Sequence, residues 1–202
     1  LISVIMATYN RAALISRALD SLINQDFANW ELIVVDDGSE DNTFETVLPY
    51  TEKYEQIRYL RHKNRRQNLS VNTGISLACG EYVTFLDSDD AYKSNHLSAH
   101  LTYLEAHPDI DVLYGGLEII GDQYVKDKND LAKLIHIDDC ASLATFFCKK
   151  SYMLELEGFK DLAYSSDSDF LERAQQRYKV EKFPFKTYVY YRDTEDGICN
   201  NV

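Results

Sequence analysis

Two short segments are rich in aspartate, and each segment directly follows a run of apolar residues. The segment "FLDSDD" contains Asp87, Asp89 and Asp90, and the segment "VVDDGS" contains Asp36 and Asp37. Carboxylates gathered in one place repel one another unless a cation compensates them, and their oxygens suit hard divalent ions such as Mn²⁺ or Mg²⁺. A crevice that holds carboxylates and a divalent ion is suited to a nucleotide diphosphate, although either segment alone is also typical of a turn.

The chain around these aspartates alternates between strand and helix patterns. Four near-continuous apolar runs are typical of buried strands: "ISVIMA", "WELIVVDD", "IRYLR" and "EYVTFLD". Amphipathic stretches separate them, and this alternation predicts an α/β fold with a mostly parallel sheet and helices on both faces. Ligands bind such a sheet beyond the carboxyl ends of its strands. Because "TYNR", "DDGSED" and "DSDD" all fall there, one shared ligand site is favoured over three independent turns.

The remaining elements are predicted from weaker patterns. Ser39 is expected to cap the helix after the second strand. We further expect one strand over "DVLYGGLEII", a helix over "DSDFLERAQQRY" and closing strands in "VEKFPFKTYVYYR". The pattern weakens from Asp122 to Asp139, where "KDKND" predicts an exposed loop. No linker divides the 202 residues, so one domain is expected. The chain opens directly on a strand and ends without a capped element, so we expect the natural gene product to extend further.

Composition narrows the class of protein. The formal net charge of -12 argues against nucleic-acid binding, which needs a basic stripe. The four cysteines are widely spaced without a CxxC pair, a pattern that favours reduced thiols in a cytoplasm. The first strand is not followed by G-x-G-x-x-G, and the sequence contains no GxxxxGKS or GxxxxGKT. A dinucleotide oxidoreductase and a P-loop NTPase are therefore disfavoured.

Two other groups of residues leave alternatives open. The basic segment "RHKNRR" at residues 61–66 is typical of a solvated loop, but it is also suited to clamping an anionic ligand or a membrane surface. His96 and His100 are four residues apart on a predicted helix, so they could share a metal ion. No HExxH pattern surrounds them, and a surface or packing role is therefore favoured.

The order of these motifs resembles the inverting family 2 glycosyltransferases, which are nucleotide-sugar enzymes of the GT-A fold. The resemblance is carried by "ISVIMATYNRAALISRALDSLINQDFANWELIVVDDGSEDNT", "NLSVNTGISLACGEYVTFLDSDDAY", "LEGF" and "DSDFLERA". It covers residues 1–117 closely and residues 140–192 more loosely. It implies a Rossmann-like, mostly parallel sheet in a single catalytic domain, with a nucleotide-sugar-binding half at 1–117 and an acceptor-binding half at 118–202.

The resemblance implies that a sugar is transferred with inversion from a nucleotide-diphospho-sugar, with a UDP-sugar favoured, to an acceptor hydroxyl. A saccharide or a lipid-linked saccharide is the implied acceptor, and bacterial cell-surface polysaccharide synthesis is the implied setting. The implied location is the cytoplasm, with peripheral attachment to the inner face of the cell membrane left open. Two alternatives also stay open: a nucleotidyltransferase on a similar sheet, and a sugar-nucleotide-binding domain without catalytic activity.

The resemblance also assigns residues to the nucleotide. Four residues at the end of the first strand are implied to line its pocket: Thr8, Tyr9, Asn10 and Arg11. Tyr9 is placed to stack on the base, and Asp37 is placed to accept the uracil imide N–H, with Asp36 beside it. Asp87 is implied to bind the ribose or to orient the metal, and Ser88 belongs to the same nucleotide-binding set.

The metal and the base follow from the same resemblance. Asp89 is the implied ligand of Mn²⁺ or Mg²⁺, whose charge stabilises the leaving diphosphate, and Asp90 is implied to support it from behind. An inverting reaction needs a base for the acceptor hydroxyl, and Asp167 is implied to be that base, with Asp169 as a rival. Without the resemblance, the alternative is that Asp167 only caps its helix. Because a helix N-terminus lowers the pKa of a carboxylate, proximity and orientation are expected to supply much of the rate.

The chain departs from the family pattern at three positions. Val71 occupies the place of a frequent arginine, and Ser166 precedes Asp167 where the family often has glutamate. Thr194 occupies the place of a histidine that can complete the metal shell. A weaker or substrate-dependent metal site is therefore expected.

Overall fold

A seven-stranded sheet forms the centre of the computed structural model, which describes residues 1–162 and 165–192. The strands are β1 (Ile2–Thr8), β2 (Trp30–Asp36), β3 (Ile57–Arg61), β4 (Tyr82–Phe85), β5 (Ala91–Tyr92), β6 (Val112–Tyr114), β7 (Leu117–Gly121), β8 (Tyr124–Lys126), β9 (Leu134–His136), β10 (Phe147–Lys149), β11 (Val180–Lys182) and β12 (Tyr188–Arg192). The helices are α1 (Ile15–Ile23), α2 (Thr43–Lys53), α3 (Gln67–Leu77), α4 (His96–Ala106), α5 (Lys150–Glu155) and α6 (Ser166–Gln175).

The central sheet has the strand order β11-β6-β10-β4-β1-β2-β3. Its neighbouring pairs are parallel except for those that β10 makes with β4 and β6, as the sequence predicts. All seven residues of β2 are buried because helices cover both faces of the sheet. Ile2, Val4 and Met6 of β1 join one hydrophobic cluster with α1, whereas Ile5 joins a second cluster with α3. The apolar runs are therefore continuous rather than alternating.

The predicted strand "DVLYGGLEII" is instead two strands that belong to different sheets. β6 lies in the central sheet, whereas β7 joins β5 and β12 in a second sheet of order β5-β12-β7. Gly115 and Gly116 separate them with φ values of 85° and 77°, a left-handed conformation that favours glycine. A Cβ at Gly116 would lie 2.5 Å from the carbonyl oxygen of Phe185. The prediction of one strand was wrong because two glycines turn the chain between the sheets.

The predicted exposed loop "KDKND" is confirmed over residues 127–130, which lie between β8 and β9. These two strands, which the weak pattern did not predict, pair as an antiparallel hairpin in which Tyr124 pairs with His136. One smaller prediction was wrong. Ser39 does not cap α2, which begins at Thr43 with Asn42 in the N-cap position. The Ser39 hydroxyl instead accepts the amide N–H of Asn10 at 2.9 Å. No helix in residues 1–162 and 165–192 is long and apolar enough to cross a bilayer.

His96 and His100 of α4 are buried in an aromatic stack. The ring centroid of His96 lies 3.7 Å from that of Tyr92, and the centroid of His100 lies 3.7 Å from that of Phe183. Nδ1 of His96 lies 2.9 Å from Oγ1 of Thr187, and Nδ1 of His100 lies 2.8 Å from the carbonyl oxygen of His96. The pair therefore has the packing role that the sequence favours.

Replacing His100 by phenylalanine should make the stability of the protein less dependent on pH. Burial lowers the pKa of His100 from 6.5 to about 4, so the ring stays neutral in the fold but takes up a proton in the unfolded chain below pH 6.5. The fold therefore loses stability through this group as the pH falls, by about 2 kcal/mol between pH 7 and pH 5. Urea unfolding at both pH values should show a loss smaller by that amount in His100→Phe, and an equal loss in both proteins would contradict the interpretation.

Candidate nucleotide and metal site

The polar ends of β1, β2 and β4 open onto one cavity with a volume of about 1090 Å³. The strand register brings them together, because Thr8 pairs with Asp36 and Ile5 pairs with Phe85. Nine of the ten residues that the sequence predicts for nucleotide, metal and base line this cavity: Thr8, Tyr9, Asn10, Arg11, Asp37, Asp87, Ser88, Asp89 and Asp167. The volume is at the upper end of the range for small-molecule pockets.

Asp36 is the predicted residue that does not line the cavity. Its side chain is buried, and its carboxylate accepts the amide N–H of Ser39 at 2.7 Å and the hydroxyl of Tyr59. Burial and the neighbouring carboxylate raise the pKa of Tyr59 well above its ordinary value, which keeps that hydroxyl a donor. The geometry therefore favours a role for Asp36 in fixing the turn after β2 over contact with a ligand.

Asn10 joins the loop after β1 to the loop after β2. Its φ of 52° is left-handed, a conformation that asparagine tolerates better than most residues. Its side-chain oxygen accepts the amide N–H of Glu40 at 2.8 Å. These contacts fix the backbone that carries Tyr9, whose side chain is 43% exposed at the cavity. Tyr9 therefore presents an accessible aromatic surface to the cavity.

Asp37 holds the basic segment of residues 61–66 against the end of β2. Its two carboxylate oxygens accept the amide N–H groups of Arg65 and Arg66 at 2.8 and 2.9 Å, and Nδ1 of His62 lies 3.4 Å away. Gly38 allows this close approach, because a Cβ there would lie 2.9 Å from the amide nitrogen of Asn64. The basic segment is therefore more than a solvated loop, since its backbone helps to build one wall of the cavity.

The carboxylate of Asp87 faces other carboxylates across the cavity. Burial and the negative charges of Asp89 and Asp167 raise its pKa to about 7, although Nε2 of Gln67 donates to it at 3.1 Å. The ionised form of Asp87 is disfavoured here, because burial and repulsion by the neighbouring carboxylates exceed the stabilisation that the hydrogen bond from Gln67 provides. A bound cation would lower this cost, so the electrostatics of the crevice favour a positively charged ligand.

The side chains fit a hard divalent cation in part. Asp87 and Asp89 offer carboxylate oxygens to the cavity, while Nε of Arg11 lies 3.6 Å from Oδ2 of Asp89. Within residues 1–162 and 165–192, no group of three or more His, Cys, Asp and Glu side chains could hold a metal ion. Further oxygens would therefore have to come from a ligand such as a diphosphate. Thr194, which replaces the family's histidine, lies outside the described residues.

Asp90 is buried behind the cavity and ties it to β12. Its carboxylate accepts the hydroxyl of Tyr188 at 2.7 Å and the amide N–H of Tyr191 at 2.8 Å. The hydroxyl oxygen of Tyr188 in turn accepts the amide N–H of Asp87 at 3.1 Å. Burial and the charge of Asp87 raise the pKa of Asp90 well above its ordinary value. Asp90 therefore supports the backbone of the acidic segment.

Asp167 lines the same cavity from the first turn of α6. Its Oδ1 accepts the amide N–H of Ser168 at 2.8 Å. Burial raises its pKa even though hydrogen bonds from backbone N–H groups lower it, so burial outweighs the pKa-lowering effect expected of the helix N-terminus. The rival Asp169 instead pairs with Arg173 and Lys160 at 2.7 and 3.1 Å and does not line the cavity. The geometry therefore favours Asp167 as the base.

Several residues of the site are not apparent from the sequence. Gln67 contacts Asp87, and Tyr188 and Tyr191 hold Asp90, but no motif marks any of the three. The two tyrosines lie about one hundred residues beyond the acidic segment, so only the folded chain brings them together. Val71, in place of the family's arginine, is buried in the hydrophobic cluster beneath α3.

The fold and the site together define a class of protein. A Rossmann-like sheet whose parallel strands end at an acidic crevice, with a further carboxylate from α6 in the same cavity, has the arrangement of a GT-A type nucleotide-diphospho-sugar transferase. A family model described as "Glycosyl transferase family 2" matches residues 3–188. The chain belongs to this family, so the prediction from its motifs is confirmed. Membership also disfavours the nucleotidyltransferase alternative.

Curated relatives are similar over part of their length. The chain is 35% identical over 129 residues to the UDP-Glc:alpha-D-GlcNAc-diphosphoundecaprenol beta-1,3-glucosyltransferase WfgD of Escherichia coli, which covers 63% of this chain and 50% of that protein. It is 42% identical over 99 residues to the GalNAc(5)-diNAcBac-PP-undecaprenol beta-1,3-glucosyltransferase of Campylobacter jejuni, which covers 48% of this chain and 32% of that protein. The chain thus spans half or less of these relatives.

Solved structures share the fold. S. aureus TarS 1-349 in complex with UDP-GlcNAc superposes with a TM-score of 0.81 and 23% identity, covering 98% of this chain and 60% of that one. The mannosyltransferase PcManGT from Pyrobaculum calidifontis, in complex with GDP-Man and Mn²⁺, superposes with a TM-score of 0.73 and 24% identity. The match covers 93% of this chain and 56% of that one. The predicted GT-A fold is therefore confirmed.

Replacing Asp37 by asparagine should loosen the wall that residues 61–66 form. The amide side chain keeps one neutral acceptor oxygen and has an NH2 donor in place of the other, so one of the amide N–H groups of Arg65 and Arg66 loses its acceptor, at a cost of about 2 kcal/mol. Hydrogen exchange of these two amides should accelerate, and urea unfolding should report the loss of stability. Asp161→Asn is a matched control, because Asp161 contacts the exposed guanidinium of Arg66 at 3.2 Å and should change stability by less than about 1 kcal/mol. Unchanged exchange in Asp37→Asn would contradict the assigned role.

Proposed function

We propose that the protein transfers a sugar, with inversion, from a nucleotide-diphospho-sugar to an acceptor hydroxyl. The observation that carries the proposal is that Asp167, on α6, lines the same cavity as Asp87 and Asp89, which follow β4. An inverting transfer needs a base on the acceptor side of the sugar and charge stabilisation on the leaving-group side. The shared cavity offers a carboxylate for each task.

The nucleotide half of the proposed site is built on the ends of β1 and β2. Tyr9 stacks on the base, and Asp37 accepts the imide N–H of uracil through lone pairs that its backbone contacts leave available. Thr8, Asn10 and Arg11 line the rest of this half. A UDP-sugar is the favoured donor because UDP-Glc is part of the name of the E. coli relative and the TarS structure holds UDP-GlcNAc.

The proposed chemistry is a single displacement. The Asp167 carboxylate takes the proton of the acceptor hydroxyl as its oxygen attacks the anomeric carbon, and the nucleoside diphosphate departs with the bonding electron pair. Asp89, with Asp87 beside it, would hold Mn²⁺ or Mg²⁺, which supplies Lewis-acid stabilisation of the leaving diphosphate. The Mn²⁺ in the PcManGT structure supports a divalent ion in this fold.

The proposed acceptor is a saccharide, and a lipid-linked saccharide is favoured. Both glucosyltransferase relatives carry undecaprenol-linked saccharides in their names. Residues 118–202 would form the acceptor half, in which the hairpin of β8 and β9 contributes Val125 and Ile135 to the cavity wall. A lipid-linked acceptor would bring the enzyme to the inner face of the cell membrane as a peripheral protein, in the synthesis of a cell-surface polysaccharide.

Asp167→Asn should abolish most transfer while leaving donor binding intact. An amide cannot take the proton of the acceptor hydroxyl, so kcat should fall by roughly 10²- to 10⁴-fold. Release of UDP from UDP-sugars with Mn²⁺ and a saccharide acceptor measures the transfer, and calorimetry measures UDP binding. Asp169→Asn is the matched control, because Asp169 faces Arg173 and Lys160 rather than the cavity.

Two outcomes would overturn this assignment. Equal losses in Asp167→Asn and Asp169→Asn would show that the first turn of α6 matters only for structure. If the unaltered protein binds UDP but neither hydrolyses nor transfers any donor, the alternative of a binding domain without catalytic activity is correct.

Asp89→Ala should remove the effect of Mn²⁺ on UDP binding. The variant loses the proposed ligand but keeps the nucleotide contacts of the other loops, so UDP affinity without metal should change little. Calorimetric titration of UDP with Mn²⁺ and with EDTA separates the two. Asp109→Ala is the control, because Asp109 is exposed and pairs with Lys179 away from the cavity. Retained Mn²⁺ dependence in Asp89→Ala would make the metal assignment wrong.

A further inference from the structure

Arg17 of α1 contacts the acidic segment from the side opposite to β12. One Nη of its guanidinium donates to the backbone carbonyl oxygen of Asp89. The guanidinium carbon also lies 3.6 Å from the centre of the Tyr191 ring, which is within the range of a cation–π contact. Neither contact uses the side chain of a residue already assigned to the nucleotide, the metal or the base.

These two contacts close a ring of interactions around residues 87–90. On the side of β12, the amide N–H of Tyr191 and the hydroxyl of Tyr188 bind the Asp90 carboxylate. On the side of α1, Arg17 binds the carbonyl of Asp89 and stacks on the ring of the same Tyr191. The peptide that carries the Asp89 carboxylate is thereby held from both sides.

The chemistry of the guanidinium suits this position. It is planar, so one face can stack on an aromatic ring while an edge N–H donates to a carbonyl, whereas a lysine ammonium has no planar face to stack. Nε of Arg17 is buried and has no hydrogen-bond partner in the described part of the chain. A buried donor without a hydrogen-bond partner lowers the stability of the fold. Such groups occur more often at functional sites than elsewhere in a protein.

We propose that Arg17 is a positioning residue for Asp89, which orients that carboxylate towards a divalent cation by fixing its peptide against β12. The inference rests on the proposed function, because the cation is part of that function. Residues that orient metal ligands typically contribute ten- to a hundredfold to metal affinity. Arg17 should therefore affect binding of the cation more than binding of the nucleotide.

The test is calorimetric titration of Mn²⁺ into the protein saturated with UDP, with a separate UDP titration in EDTA and a thermal unfolding curve. Arg17→Met removes the planar group, and Arg17→Lys keeps the positive charge. Both should weaken Mn²⁺ binding by about tenfold and leave UDP binding in EDTA within about twofold. Arg58→Met is the matched control, because Arg58 pairs with Glu31 at 2.7 Å at the amino-terminal end of the sheet. It should leave Mn²⁺ affinity unchanged.

Tyr191→Leu provides a second route if Arg17→Met does not fold, because it removes the ring and keeps the backbone N–H that binds Asp90. It should weaken Mn²⁺ binding in the same way, whereas Tyr191→Phe should not. Unaltered Mn²⁺ affinity in Arg17→Met and in Tyr191→Leu would overturn the inference. Full Mn²⁺ affinity in Arg17→Lys would also overturn it, because the positive charge alone would then be sufficient. If Mn²⁺ has no effect on UDP binding by the unaltered protein, the proposed metal site and this inference fall together.

Discussion

Repulsion among carboxylates that face one cavity is the constraint on which the rest of the site depends. Asp87 and Asp89 lie beside each other with Asp167 near, and partial burial weakens the screening that water would supply. Side chains with this repulsion would turn outward to solvent if their backbone were free. The structure prevents this by bonding the backbone of residues 87–90 to α1 and β12, so that the charges stay directed at the position of a ligand.

The aspartates at this end of the sheet have two different roles. Asp87, Asp89 and Asp167 line the cavity. The carboxylates of Asp36 and Asp90 instead accept hydrogen bonds from backbone N–H groups and tyrosine hydroxyls. Asp37 does both, since it faces the cavity while holding the loop of residues 61–66. Charge-assisted hydrogen bonds to the backbone are stronger than neutral ones, so a carboxylate is an effective tie between loops.

The sequence predicts the sheet, the edge at which ligands bind and most of the residues lining the cavity, because strand periodicity and motifs are local properties. It cannot separate the role of Asp36 from that of Asp37, because adjacent strand residues point in opposite directions and only the fold shows that Ser39 and Tyr59 bind Asp36. It also cannot separate one strand from two in residues 111–120, since glycine permits the turn at Gly115 and Gly116 without requiring it. Arg17, Tyr188 and Tyr191 stay hidden because their importance comes from contacts distant in sequence.

The bond between the amide of Asp87 and the hydroxyl of Tyr188 spans 101 residues of chain. Closing so long a loop reduces the conformational entropy of the chain before the contact can stabilise it, so pairings of this kind are expected to form late in folding. During synthesis, the strands β1 to β4 leave the ribosome long before β12 exists. The acidic segment is therefore completed only after the scaffold that carries it. All seven strands of the central sheet precede β12 in the chain, so the contacts of this charged edge with β12 are the last of the site to become available during synthesis.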